Sequence, residues 1–148
     1  MMTNSSIAEI LTFKGTQVWT VPPNTTVYDA LVLMADKNIG ALCVTDGDRL
    51  VGILSERDYT RKIVLKGKSS HTTPVREIIS ARVIAASPDS TIEECLHLMT
   101  DNRVRHLPVL ENGKLAGLIS IGDLVNHIIS TQRSTIEQLQ TYINGVPG

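Results

Sequence analysis

Residues 21–59, VPPNTTVYDALVLMADKNIGALCVTDGDRLVGILSERDY, lie over residues 86–124, ASPDSTIEECLHLMTDNRVRHLPVLENGKLAGLISIGDL, at a constant offset of 65 and without a gap. Pro23 meets Pro88, Thr26 meets Thr91, Leu33-Met34 meet Leu98-Met99, Gly52 meets Gly117, Ser55 meets Ser120 and Asp58 meets Asp123. A register held over that length identifies an internal duplication. Neither copy can bury its apolar face alone, so the pair must pack together.

Each copy opens with a short β-rich run ending before a proline, Val18–Val21 and Val83–Ala86. Thr26-x-x-Asp29 and Thr91-x-x-Glu94 then read as capping boxes that start helices. The apolar faces of those helices are Val27, Ala30, Leu31 and Met34, and Ile92, Cys95, Leu96 and Met99. Two strands follow, Ala41–Thr45 with Leu50–Leu54, and Leu107–Leu110 with Leu115–Ile119. The first pair is joined by Asp46-Gly47-Asp48, the second by Glu111-Asn112-Gly113 with its Asn-Gly hairpin signal. A further helix starts after Ser55 and after Ser120. The expected fold is mixed α/β (α+β): two β-α-β-β-α repeats, residues 18–65 and 74–130, related by a pseudo-twofold axis within one module spanning 1–148. A polar connection over 66–73 leads through Thr73-Pro74 into a short helix around Val75–Ile79. Ser6-x-x-Glu9 opens an N-terminal helix, and Ser134-x-x-Glu137 a separate C-terminal one over 134–144, with Ile136, Leu139, Tyr142 and Ile143 on one side. Both are expected to be additional packing material, suited to self-association.

With 148 residues, 42% of them hydrophobic, the chain can build one proper core but has no room for a separate catalytic domain. A net charge of −1 with dispersed cations and few aromatics argues against nucleic acid as a partner. The start MMTNSSIAEI lacks a signal-peptide pattern, and no apolar run is long enough to span a bilayer, so a cytoplasmic protein without a membrane partner is expected. Cys43 and Cys95 sit within apolar patterns and read as buried free thiols. Gly67-Lys68-Ser69 lacks the earlier glycine and the preceding strand of a P-loop. The histidines at 71, 97, 106 and 127 show no metal-ligand spacing, and no catalytic residue can be named.

The duplicated Gly52-x-x-Ser55-x-x-Asp58 and Gly117-x-x-Ser120-x-x-Asp123 segments place a hydroxyl and a carboxylate where a buried strand meets a helix. Ser-x-x-Asp alone is a capping box. The same groups can also hold phosphate and a ribose diol, and the preceding glycine permits close approach of a ligand or another backbone.

The order of these motifs, together with Arg105-His106-Leu107-Pro108-Val109 and Tyr59-x-Arg61-Lys62, resembles the CBS-domain family in its paired form, the Bateman module, over about Val18–Leu124. The similarity is to small stand-alone bacterial proteins made of one such pair. It implies a regulatory module that binds AMP, ATP or NAD(H) in clefts between the repeats, signals ligand state to a protein partner, and dimerises into a disc. Carried onto this chain, the resemblance assigns Asp58 and Asp123 to ribose and Ser55 and Ser120 to phosphate. It lines adenine pockets with the backbone of Val21, Ala86, Gly40-Ala41-Leu42 and Arg105-His106-Leu107. Arg57, Arg105 and His106 are the candidates for phosphate charge, although Arg105 also reads as a surface cation and His106 as a strand residue satisfying a neighbouring backbone group. Gly40-Ala41 in copy one against Arg105-His106 in copy two, and Glu56-Arg57 against Ile121-Gly122, predict two inequivalent sites. A structural or interaction module without ligand, and an enzyme acting on a nucleotide, are the alternatives.

Overall fold

The computed structural model describes residues 5–15, 17–79 and 83–143, with side chains through residue 140. The order is α1 (Ile7–Lys14), β1 (Thr20–Val21), α2 (Val27–Lys37), β2 (Ala41–Asp46), β3 (Arg49–Ser55), α3 (Glu56–Tyr59), α4 (Ile92–Asn102), β4 (His106–Glu111), β5 (Lys114–Ser120) and α5 (Ile121–Ile143). A π-helical turn, Thr60–Val64, continues α3, and a 3₁₀ turn covers Val75–Glu77.

The duplication is carried into hydrogen-bond register. Ala41 pairs with Ser55 and Val44 with Gly52; His106 pairs with Ser120 and Val109 with Gly117, the same pairs 65 residues on. Both hairpins shift register at the same place, after Val44 and after Val109. The turns differ. Asn112 and Gly113 both have positive φ, as a type I′ turn requires, whereas in the first hairpin Gly47 supplies the positive φ. The first sheet has the order β1-β2-β3, with β1 parallel to β2. The opening strand predicted for copy two reduces to a single parallel bridge, Ala86 to Val109, held by Ala86 N–H to the Pro108 carbonyl at 2.9 Å and Leu110 N–H to the Ala86 carbonyl at 2.8 Å.

Thr26 caps α2 by accepting from the Asp29 N–H, and Thr91 with Glu94 forms a complete capping box on α4. Both helices end on a left-handed residue, Asn38 and Arg103.

The N-terminal helix is not additional material. Ile7, Ile10 and Leu11 belong to the core of the second repeat, with Ile92, Cys95, Met99, Leu107, Val109 and Ile119. Val75 and Ile78 belong to the core of the first, with Val27, Met34, Leu42, Val44 and Leu54. The backbone contacts match: Ile7 N–H donates to the Ser90 carbonyl and Ala8 N–H to that of Pro88, while Val75 N–H donates to Thr25 and Arg76 N–H to Pro23. Each repeat is thus completed by the segment that precedes the other in sequence. Each signature glycine receives that segment, because a Cβ on Gly52 would lie 2.8 Å from Ile79 and one on Gly117 2.8 Å from Leu11. The close approach anticipated at these glycines is therefore made by a side chain of the same protein.

The separate C-terminal helix expected at Ser134 is also corrected. Nothing interrupts α5 between Ile121 and Ile143, and Ser134 lies within it. Residue 144 and the side chains of Tyr142 and Ile143 lie outside the described residues.

Candidate functional site

Both Ser-x-x-Asp segments form the caps their spacing predicts. Ser55 Oγ accepts the Asp58 N–H at 3.2 Å, and Asp58 Oδ2 accepts the Ser55 N–H and hydroxyl, each at 3.0 Å. Ser120 Oγ accepts the Asp123 N–H at 3.1 Å while Asp123 Oδ2 accepts the Ser120 N–H at 2.7 Å. Each carboxylate also faces a lysine. Lys62 lies 3.5 Å from Asp58 Oδ1 and donates to the Ile78 carbonyl; Lys14, from α1, lies 2.5 Å from Asp123 Oδ2 and donates to the Leu118 carbonyl.

The surroundings of the two caps differ. A cavity of about 510 Å³, within the range of small-molecule sites, gathers Gly40, Ser55, Arg57 and Asp58 from the first repeat with Arg105 and His106 from the second. Val21, Ala41, Leu42, Ala86 and Leu107 do not line it; all five are buried in the core. Ser120, Gly122 and Asp123 lie apart from it, at the start of α5. The predicted site residues therefore divide into six that converge, five that pack the interior and three at the second cap.

The cavity wall also includes Arg61, Lys62, Asn102 and Arg103, none of them among the expected site residues. Arg61 and Lys62, which belong to the Tyr59-x-Arg61-Lys62 continuation of the motif, stand three and four residues after Asp58, a spacing that puts them on its side of a helix. Arg103 had no such signal. It lines the cavity from the left-handed position that ends α4, where the first copy has Asn38. The cavity wall carries five permanent cations, Arg57, Arg61, Lys62, Arg103 and Arg105.

His106 sits at the junction of the repeats, its ring 4.0 Å from where a Cβ on Gly40 would be. Burial lowers its pKa below 6.5; the Lys14 and Arg105 charges lower it further, and Asp123 and Glu56 offset part of this. The imidazole is therefore neutral at pH 7. For Asp123, burial pushes the pKa up but is outweighed by the Lys14 hydrogen bond, the Ser120 N–H and the Lys14 charge, so the carboxyl titrates below its ordinary value. Burial raises the Cys43 thiol to about 12, and burial with the Glu94 charge raises Cys95 to about 11, so neither is a thiolate nucleophile near neutrality.

Comparison with known proteins gives this duplicated architecture its family. A sequence model of the CBS domain matches twice, at residues 7–65 and 75–130. The chain belongs to the CBS-domain family. The first match begins at α1 and the second at Val75, so each begins with the segment that packs in the core of the other repeat. The chain is 36% identical to the CBS domain-containing protein CBSX3, mitochondrial, of Arabidopsis thaliana, covering 96% of this chain and 73% of that protein. It is 33% identical to the CBS domain-containing protein YhcV of Bacillus subtilis, covering 86% and 89%. Among solved structures, a protein with CBS domains from Burkholderia ambifaria superposes with a TM-score of 0.82 at 52% identity, covering 85% of this chain and 95% of that one. A CBS-domain protein from Agrobacterium tumefaciens gives 0.78 at 36%, covering 82% and 98%. CBS-domain pairs are generally regulatory modules that bind adenosine ligands. No helix of the described residues is long and apolar enough to cross a membrane.

Proposed function

We propose that this CBS-domain pair is a cytoplasmic, non-catalytic sensor that takes an adenine nucleotide of the AMP, ATP or NAD(H) class between its repeats and signals its presence to a protein partner. One observation carries the proposal: the cavity joins Asp58, a carboxylate suited to a ribose diol, to cations from both repeats. Ligand in that cavity touches both halves of the module, so it can bias their relative geometry and the surface they present. Exposed Ile121, Val125, Ile129, Ile136 and Leu139 form an apolar stripe along α5, which supports assignment of that helix to a homodimer contact. Ser120, Gly122 and Asp123 are a second, weaker candidate site, because Lys14 holds that carboxylate at 2.5 Å whereas Lys62 stands 3.5 Å from Asp58.

The complete capping boxes favour a second reading, a ligand-free structural module. A thermal-shift panel of adenosine, AMP, ADP, ATP, NAD, NADH and S-adenosylmethionine separates the two. A ligand at about 100 times its dissociation constant adds about 2.7 kcal/mol, which raises the melting temperature by roughly 5–10 °C at this size. A panel without any shift favours the structural module.

A further inference from the structure

We infer that the cavity selects ligands with a terminal chain of at least two phosphates, a nucleoside diphosphate or triphosphate, gripped between guanidinium groups of the two repeats. The inference deepens the nucleotide proposal and rests on it.

Charge balance is the first support. The cavity wall carries Arg57, Arg61, Lys62, Arg103 and Arg105 against Glu56 and Asp58, an excess of three positive charges in a chain whose net charge is −1. None of the ion pairs among the described residues engages any of the four arginines. Asp58 is already held by Lys62 and by Ser55. A single phosphate ester carries about −1.5 to −2 at neutral pH, so it leaves part of this field unmatched, whereas a terminal diphosphate approaches balance.

Placement is the second support. Arg57 and Arg61 come from the segment after β3, Arg103 and Arg105 from the passage between α4 and β4. The two groups meet where Arg57 Nη1 reaches the Arg103 carbonyl at 3.4 Å. Guanidinium groups delivered from two repeats suit a chain of phosphates that spans them, each phosphate taking a bidentate contact.

Arg103 supplies the third. It closes α4 at φ 55° and ψ 43°, a left-handed conformation that asparagine or glycine adopts at lower cost. The first copy has Asn38 at the matching position, with φ 54° and ψ 50°. Neither capping nor packing asks for an arginine there, and the residue forms part of the cavity wall.

Titration calorimetry with adenosine, AMP, ADP, ATP, NAD and tripolyphosphate, on wild type, Arg103→Asn and Arg61→Gln, tests the inference. Wild type is expected to bind ADP at least about tenfold more tightly than AMP, the size of one added charge-assisted contact. ATP, with a free phosphate chain, is expected to bind more tightly than NAD, whose diphosphate is internal. Arg103→Asn is expected to reduce the ADP-to-AMP ratio below about threefold without lowering the melting temperature, since asparagine suits the backbone better. Arg61→Gln, which leaves that backbone alone, is expected to reduce the ratio in the same direction. Equal affinity for AMP and ADP in wild type, or an unchanged ratio in both variants, overturns the inference and leaves the adenine site standing. Binding of tripolyphosphate with no binding of any adenosine ligand overturns the nucleotide proposal itself.

Discussion

Lys14→Met tests whether α1 is an integral part of the second repeat. Lys14 reaches from the end of α1 to the Leu118 carbonyl at 2.7 Å and Asp123 Oδ2 at 2.5 Å. The side chains are 37% and 24% exposed, between the surface and buried limits for ion pairs. Surface pairs contribute roughly 0–1 kcal/mol and breaking a buried pair costs about 3–5 kcal/mol, so this half-exposed pair should couple by about 1 kcal/mol. Loss of the charged donor to Leu118 adds a comparable amount. Lys14→Met should therefore cost about 1.5–2 kcal/mol, or roughly 3–8 °C in melting temperature. Asp123→Asn keeps an oxygen for the Ser120 N–H and loses only the charge. Urea unfolding of both variants and their double mutant isolates the coupling. Its pH dependence follows from the direction of the Asp123 shift. A carboxyl whose folded pKa is depressed contributes stability that is fully present above its unfolded value of 3.8 and is lost as pH falls through the folded value beneath it. The coupling should hold from about pH 7 to about pH 5 and fade below 3.8. Additive single mutants at pH 7, or a coupling already gone at about pH 5, would refute the reasoning.

Gly52→Ala should destabilise by about 1–3 kcal/mol in denaturant melts, because its Cβ would meet Ile79 at Cδ1, Cβ and Cγ1 within 2.8–3.2 Å. Gly117→Ala should cost less, since its nearest neighbour is the mobile end of Leu11; equal costs would count against the packing described. Arg105→Ala should weaken AMP about tenfold and leave adenosine nearly unchanged in parallel titrations, and equal losses would make Arg105 a pocket-shaping residue. AMP affinity should be flat between about pH 7 and 8 and gain a contribution from His106 only below 6.5, since the neutral imidazole must protonate against burial and two cations. His106→Gln separates that contribution from the second ionisation of the phosphate near about pH 6, and identical pH profiles in the two proteins would remove His106 from phosphate binding.

The repeat, both hairpins, the caps at Thr26, Thr91, Ser55 and Ser120, and the mixed α/β class were legible because each rests on local chemistry that two copies state independently. The exchange of α1 and Val75–Ile79 between repeats was not. It depends on which apolar faces are left uncovered after the sheets form, and although Ile7-Ala8-Glu9-Ile10-Leu11 resembles Val75-Arg76-Glu77-Ile78-Ile79, the two match at an offset of 68, outside the ungapped register of 65. The continuous α5 was misread because Ser134-x-x-Glu137 mimics a helix start, while Ser134 and Thr135 sit within a helix that runs on to Ile143. In the cavity, Ser55 and Asp58 carried a motif, and Arg57 and Arg105 stood beside motifs. Arg103 owes its place to the left-handed turn after α4, a feature that only the folded backbone displays.

Calorimetric titration of AMP and ADP into wild type and Asp58→Asn tests the central claim most directly. Asparagine retains an oxygen for the Ser55 N–H, so the cap should survive, as a melt of the variant will show. The account predicts that wild type binds and that Asp58→Asn loses about tenfold or more in affinity for both nucleotides while staying folded. Undiminished binding by folded Asp58→Asn would contradict it.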